Sequence, residues 1–236
     1  MISKKNVMLI TGSSKGIGYN LAKHFLSQGY VVIGCSRSAT ELHHEKYEHF
    51  CLDVSDEKQV NDLFMKIRKQ YGRLDVLINN AGIASMNHTL LTPLITVNKL
   101  FDTNFTGTFL FSRQAVKLMK KNSFGRIVNF STVAVPLNLE GEAIYAASKS
   151  AVEQFTKVFS KEIASLGITI NTIGPTPVET DLIKAVPKNK LDDLIAQQAI
   201  KRLGNFSDII NVINFYIDPK SNFITGQTIY LGGIFK

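Results

Sequence analysis

Thr11-Gly12-Ser13-Ser14-Lys15-Gly16-Ile17-Gly18 decides the fold, because it lies between an apolar run at residues 7–10 and a helical pattern at residues 17–28. Glycines let the backbone turn tightly and approach a pyrophosphate, and the N–H groups at a helix start favour an anion. Glycine-rich turns also occur for purely structural reasons. Here a second apolar run at residues 31–34 follows the helix, and this strand–turn–helix–strand order predicts a dinucleotide-binding loop.

Outward from this loop, short apolar runs and helical patterns alternate along the chain. Further strands are expected at residues 49–52, 75–79, 126–131, 168–173 and 227–231, and further helices at 56–71, 98–121, 143–166 and 207–217. Ser55 is expected to cap the helix that starts at Asp56. The alternation predicts an α/β fold: a doubly wound (Rossmann) parallel sheet of about seven strands with helices on both faces. Ligands of such sheets bind beyond the carboxyl ends of the strands.

Composition bounds the class of protein. The 236 residues fit one domain spanning 1–236, and 27 Lys and Arg against 19 Asp and Glu give a formal net charge of +8. A basic chain invites comparison with nucleic-acid-binding proteins, but no helix-turn-helix, zinc or RNA-binding signature is present, so no nucleic-acid partner is expected. No apolar run approaches the roughly 18 residues of a membrane span, and no signal-peptide core follows Met1, so no membrane association and a cytoplasmic location are expected. The two cysteines and five histidines lack ligand spacing, so no metal is expected.

The end of the second strand indicates which dinucleotide binds. Sites for NAD usually place an acidic residue there to bind the ribose 2′-hydroxyl. This chain reads Gly34-Cys35-Ser36-Arg37-Ser38 and has no acid at that point. Arg37 would pair with a 2′-phosphate, and Lys15 in the glycine loop could reach the same group. The pattern favours NADP(H) over NAD(H), although Arg37 could also be a solvated loop residue.

Tyr145-Ala-Ala-Ser-Lys149 lies at the start of a long helical pattern. Residues four apart share a helix face, so Tyr145 and Lys149 can point into the same crevice. A free tyrosine has a pKa of about 10, and a nearby ammonium group would lower that pKa and make the phenol a useful general acid or base. A tyrosine in the core with a lysine in solvent is the simpler reading of this spacing taken alone.

Together the glycine loop, the Asn79-Asn80-Ala81-Gly82 turn and the Tyr145/Lys149 pair resemble the short-chain dehydrogenase/reductase family, with most similarity to the 3-oxoacyl-[acyl-carrier-protein] reductase group. The resemblance runs along essentially the whole chain. It implies an Asn–Ser–Tyr–Lys tetrad in which Asn104 holds a proton-relay water. The serine position, thirteen residues before Tyr145, is Thr132 in this chain, and Ser131 is its neighbour. Because strand side chains alternate between faces, only one of the two is expected to face the substrate, and Thr132 is preferred.

The resemblance also implies the rest of the cofactor site, with Asp53 and Val54 at the adenine and Val178 and Thr180 at the nicotinamide. The residues expected to bind the cofactor are Gly12, Ser14, Lys15, Ile17, Gly18, Arg37, Asp53, Val54, Asn80, Ala81, Gly82, Tyr145, Lys149, Val178 and Thr180. Residues 179–204 are expected to form a substrate lid, and a homotetramer or homodimer is expected. The chain departs from the family where Thr176 replaces a glycine and where Leu231 replaces an acid.

The implied activity is NADPH-dependent reduction of a carbonyl, in a 3-oxoacyl thioester or another small ketone, with hydride transfer to carbon and Tyr145 as the general acid. An acyl carrier protein is a candidate carrier of the substrate, because several lysines fall in the expected lid. The alternative is an NADP-binding sensor or scaffold with little or no turnover, suggested by Thr132 and by the altered turn at Thr176. No motif names the substrate.

Overall fold

A computed structural model describes residues 6–178 and 187–235 of the chain. Within these ranges seven parallel strands form one sheet in the order β3-β2-β1-β4-β5-β6-β7. The strands are β1 (Val7–Thr11), β2 (Val31–Ser36), β3 (Tyr47–Cys51), β4 (Val76–Asn79), β5 (Gly125–Phe130), β6 (Ile168–Gly174) and β7 (Thr228–Tyr230). The predicted doubly wound fold is confirmed.

Helices cover both faces of this sheet. They are α1 (Gly16–Ser27), α2 (Glu57–Tyr71), α3 (Leu94–Phe101), α4 (Gly107–Met119), α5 (Ala134–Leu137), α6 (Ala143–Ile163), α7 (Lys188–Gln197) and α8 (Phe206–Ile217). One buried cluster joins α2 and α4 to the sheet and includes Leu63, Phe111 and Ile127. A second cluster joins α1 and α8 to the other face. Burial on both faces explains why the strands are apolar runs and not alternating ones.

The strand order reverses at β1, which pairs with β2 on one side and with β4 on the other. The loops that follow β1 and β4 therefore diverge to opposite faces and leave a crevice at their carboxyl ends. The glycine loop and the Asn80 turn both lie at this crevice. The fold thus places the two motifs, about 70 residues apart in sequence, side by side.

Most observed element boundaries differ from the predicted ones by a few residues, and two of these differences have a clear structural cause. Asp56, not Ser55, caps α2: Asp56 Oδ1 accepts a hydrogen bond from Gln59 N at 3.0 Å, while the Ser55 hydroxyl donates to Asp53 Oδ1 at 2.7 Å. The helix expected at 98–121 starts earlier, at Leu94, and a π-helical turn at residues 102–106 separates α3 from α4. The cap differs because of the side-chain partners of Ser55 and Asp56. The helix start differs because a π-helical turn is inserted, and sequence periodicity does not reveal such a turn.

Part of the expected lid, residues 179–186, lies outside the described residues. Its later part forms α7 and packs beside the carboxyl ends of the strands, where Ala199 N donates a 2.9 Å hydrogen bond to Gly232 O. None of the helices in the described ranges has the length and apolar character needed to span a membrane.

Candidate active site

The glycine loop and the turn after β4 are fastened together by hydrogen bonds. Asn80 Nδ2 donates to Thr11 O at 2.9 Å and to Gly12 O at 3.2 Å, and Ala81 N donates to Thr11 Oγ1 at 3.0 Å. A Cβ at Gly12, whose φ is +70°, would lie 2.9 Å from Ala81 Cα, and a Cβ at Gly18 would lie 2.2 Å from Gly12 O. The glycines at these two positions therefore also serve this close packing of one loop on the other.

Helix α1 begins at the glycine loop without a side chain that caps it. The N–H groups of its first turn are therefore available to an anion, and the helix dipole favours negative charge there. Ser14 and Ile17 lie in the same turn and are half-buried. This donor set fits the pyrophosphate of a dinucleotide.

Two cations lie beside this turn. Lys15 and Arg37 are exposed, and neither side chain forms a hydrogen bond or an ion pair with another residue in the described part of the chain. Arg37 directly follows β2, at the position where an acid would bind a ribose 2′-hydroxyl. Asp53 after β3 is half-buried and is bonded to Ser55.

A histidine that the sequence analysis did not assign supports the turn that carries Arg37. His49 Nε2 lies 3.0 Å from both the Ser36 hydroxyl and the Ser38 carbonyl, and His49 Nδ1 lies 2.9 Å from the Tyr47 hydroxyl. Burial lowers the pKa of His49, so the neutral ring is favoured. His49 comes from β3, next to β2 in the sheet, and only this pairing reveals the contact.

Tyr145 and Lys149 lie on one face of α6, as the spacing predicts, and both line one cavity of about 680 Å³. Burial raises the pKa of Tyr145 to about 12, while a hydrogen bond from Thr132 acts in the opposite direction. Burial lowers the pKa of Lys149 to about 8. Lys149 Nζ donates to Phe130 O at 2.9 Å. The expected lowering of the Tyr145 pKa is not observed, because removal from water outweighs the effect of its neighbours.

Thr132 and Ser131 have different partners. Both line the cavity, but Thr132 is half-buried, its Oγ1 accepts a hydrogen bond from Ala134 N at 3.2 Å, and its hydroxyl acts to lower the pKa of Tyr145. Ser131 is buried and its hydroxyl donates to Glu153 Oε1 at 2.5 Å, where the Tyr230 hydroxyl also donates at 2.5 Å. The sequence does not reveal this partly buried network, because Glu153 and Tyr230 are 77 residues apart.

Asn104 is buried in the π-helical turn between α3 and α4. Its Oδ1 accepts a hydrogen bond from Ile83 N at 2.9 Å, and its Nδ2 donates to Ile83 O at 3.0 Å and to Ser148 Oγ at 2.9 Å. Both amide hydrogens of Asn104 are thus used within the protein. The side chain links the segment after β4 to α6, one residue from Lys149.

Gly82 lies between Asn104 and Lys149, and a Cβ there would be 3.2 Å from Asn104 Oδ1 and 3.2 Å from Lys149 Nζ. Val54 is buried and packs against Gly107, where a Cβ would be 2.8 Å from Val54 Cγ2. A side chain at either glycine would therefore disturb the neighbours that hold this region together.

The segment after β6 closes one side of the cavity. Val178 is buried and lines the cavity, whereas Thr180 lies outside the described residues. Thr176, the residue that departs from the family pattern, is buried, and a Cβ at Gly204 or at Gly232 would lie 2.8 Å from its side chain. The threonine is accommodated because both facing positions are glycine.

Comparison with known proteins agrees with this geometry. The model of the short chain dehydrogenase family matches residues 6–191. The 3-oxoacyl-[acyl-carrier-protein] reductase FabG of Escherichia coli (strain K12) is 31% identical over 233 residues, covering 96% of each chain. The uncharacterized oxidoreductase YxjF of Bacillus subtilis (strain 168) is 33% identical, covering 98% of each chain. A solved structure of ElxO with NADP bound has a TM-score of 0.88 at 35% identity, covering 96% of this chain and 97% of ElxO.

The sheet, the glycine loop and the Tyr145–Lys149 pair define an oxidoreductase of the class that uses a nicotinamide cofactor. The chain belongs to the short chain dehydrogenase family.

Proposed function

We propose that this protein is an NADPH-dependent reductase that converts a ketone to an alcohol. The observation that carries the proposal is the cavity of about 680 Å³ into which Thr132, Tyr145 and Lys149 all open. It lies at the carboxyl ends of the strands, where doubly wound folds bind their ligands. The hydroxyl of Thr132 and the phenol of Tyr145 supply two hydrogen-bond donors to one substrate oxygen.

The residues beside the cavity fit NADP(H). The uncapped start of α1 supplies N–H donors for a pyrophosphate, and Lys15 and Arg37 supply two cations for a 2′-phosphate. ElxO, similar over almost its whole length, has been solved with NADP, and its tyrosine-to-phenylalanine variant with NADPH. When bound, the reduced nicotinamide would supply the hydride that is added to the carbonyl carbon.

The chain's own residues then bind and protonate the carbonyl oxygen of the substrate. Thr132 donates a hydrogen bond to the carbonyl oxygen and stabilises the charge that develops there. Tyr145 is protonated at neutral pH, because burial raises its pKa to about 12, so its hydroxyl can deliver a proton to that oxygen. Protonated Lys149 stabilises the tyrosinate that remains. Asn104 orients the helix turn beside Lys149 and is the candidate holder of a water that returns the proton.

The direct test is NADPH oxidation, followed by absorbance, with a panel of small ketones and an acetoacetyl thioester. Turnover of any member that also requires Tyr145 supports the reductase. Tight NADPH binding with no turnover on the whole panel would instead favour the sensor or scaffold reading. NADH in place of NADPH serves as the cofactor control in the same assay.

The rate of reduction should depend on pH through Lys149. Its pKa is lowered from 10.5 to about 8, so the ammonium form is present below about pH 8 and is lost above it. The kcat/KM for ketone reduction should therefore fall as the pH rises through about 8, by about tenfold per pH unit at the limit. Initial rates from pH 6 to 10 check this expectation, and a flat profile would contradict it.

Replacement of the two neighbouring hydroxyls should have different effects. Thr132→Ala should lower kcat/KM about 100-fold, because one donor to the developing oxyanion is lost. Ser131→Ala should instead leave Glu153 with one donor fewer and lower the free energy of unfolding by about 1–3 kcal/mol. Steady-state kinetics and thermal unfolding of both variants separate the two effects, with Thr132→Ser as the control that retains the hydroxyl. Full activity in Thr132→Ala with loss in Ser131→Ala would reverse the assignment.

The remaining proposals concern assembly and location. Leu90, Leu91, Leu94 and Ile95 form an exposed apolar patch before and within α3, which supports the expected homodimer or homotetramer. The 3-oxoacyl thioester substrate and its acyl carrier protein are supported by the name of the FabG relatives. Within the expected basic lid, Arg202 forms an ion pair with Asp208, and Lys201 donates to Ala196 O. Two of the basic groups of the lid thus have partners within the protein. The cytoplasmic location stays a prediction.

A further inference from the structure

One carboxylate in the cavity has no part in the proposed chemistry. Glu142 directly precedes α6 and lies three positions before Tyr145, so the two side chains are neighbours at the start of the helix. It is half-buried and lines the cavity. Its side chain does not cap the helix, and none of the residues in the described ranges donates a hydrogen bond to it.

The cavity that Glu142 lines has apolar as well as charged walls. Met86, Leu139 and Leu194 line the same cavity, and burial raises the pKa of the Glu142 carboxyl. Its negative charge in turn acts to raise the pKa of Tyr145. Because no protein group in the described ranges donates to it, the Glu142 carboxylate keeps its acceptor positions for a ligand in the cavity.

Among the residues that the structure describes, three acids and two lysines line the cavity. Glu140, Glu142 and Asp193 face it together with a single cation from α7, Lys190, whose charge lowers the pKa of Glu142. No ion pair joins Lys190 to Glu142 within the described residues, and Lys190 Nζ lies 3.5 Å from Met86 Sδ. The deeper cation, Lys149, donates to Phe130 O and belongs to the catalytic group.

We propose that Glu142 is a specificity residue that selects carbonyl substrates carrying a positively charged nitrogen group near the carbonyl, and that it disfavours substrates carrying a carboxylate there. A carboxylate accepts hydrogen bonds and cannot donate them. A cationic N–H group would therefore donate to the Glu142 carboxylate and neutralise its charge. The inference rests on the proposed reductase function and names the substrate class of that same site. A negatively charged group would be placed against Glu142 in the same cavity.

The test uses three acetophenones of similar size that carry, in the para position, an aminomethyl, a methyl or a carboxylate group. NADPH oxidation gives kcat/KM for each with the wild-type protein, Glu142→Gln, Lys190→Gln and the control Glu162→Gln. Glu162 is exposed near the far end of α6, so its replacement removes the same charge from the same helix, away from the cavity.

In the wild-type protein the order of kcat/KM should be aminomethyl, then methyl, then carboxylate. Glu142→Gln should lower the ratio of aminomethyl to carboxylate about tenfold, and Lys190→Gln should raise it, because the two variants remove charges of opposite sign. Glu162→Gln should leave the ratio unchanged. A merely structural role of Glu142 would lower all three rates together and leave their ratio intact.

Two results would overturn the inference in distinguishable ways. Reduction of all three ketones with a ratio that Glu142→Gln does not change would exclude the specificity role and leave the reductase function intact. No reduction of any of the three by the wild-type protein, while NADPH still binds, would contradict the reductase function and with it the inference.

Discussion

Tyr145→Phe should lower kcat for ketone reduction by about 10²–10⁴-fold and leave NADPH binding almost unchanged. The variant keeps the aromatic ring but removes the hydroxyl, which is the proton donor of the cavity. With its pKa raised to about 12 by burial, this hydroxyl is protonated throughout the working range, so its removal leaves only water or Thr132 near the oxygen. Steady-state NADPH oxidation measures the loss, and nicotinamide fluorescence measures binding.

A matched control is available in the same fold. Tyr71 also carries a hydroxyl in a hydrogen bond, to Glu48 Oε2 at 3.2 Å, but it ends α2 and is not among the residues that line the cavity. Tyr71→Phe should retain activity. Substantial turnover by Tyr145→Phe, at more than a tenth of the wild-type rate, would show that another group delivers the proton.

Arg37→Asp should weaken NADPH binding about 100-fold or more and reverse the preference between NADPH and NADH. Loss of a charge-assisted hydrogen bond to phosphate costs about 1.5–3 kcal/mol, and the new carboxylate adds repulsion. The same carboxylate can accept a hydrogen bond from a ribose 2′-hydroxyl, so NADH binding should improve. Fluorescence titration with both cofactors gives the two dissociation constants.

The control for this charge reversal is Arg68→Asp, on the exposed face of α2. It changes the net charge by the same amount without touching the end of β2. Equal weakening of NADPH binding in both variants would indicate a general electrostatic effect. Unchanged NADPH binding in Arg37→Asp would show that Arg37 is a solvated loop residue, which was the alternative considered from the sequence.

Local patterns could be predicted because their chemistry depends on neighbours in sequence. The glycine loop shows its role through the strand before it and the helix after it. Tyr145 and Lys149 share a face because α-helix geometry places residues four apart together. The sequence predicts the cap of α2 one residue too early, because serine and aspartate are both good caps and only the structure shows that the Ser55 hydroxyl donates to Asp53.

Contacts between distant elements could not be predicted in this way. His49 meets the turn of Arg37 because β3 pairs with β2, and Tyr230 meets Glu153 because β7 ends beside α6. In the sequence, Glu142 is recognisable only as an acidic residue that precedes a helix. Its place in the cavity wall and the effect of the Lys190 charge on its pKa arise only because α7 packs beside the cavity.

The sequence by itself determined the doubly wound sheet, the dinucleotide loop and the Tyr145–Lys149 pair, since periodicity and spacing within one element fix these features. The tertiary structure alone decided that the Ser131 hydroxyl donates to Glu153 while the Thr132 hydroxyl acts on the pKa of Tyr145. It also set the directions of the Tyr145 and Lys149 pKa shifts. Both depend on burial and on partners from other elements. Burial raises the pKa of an acid and lowers that of a base, and burial is created only by the packing of the whole chain.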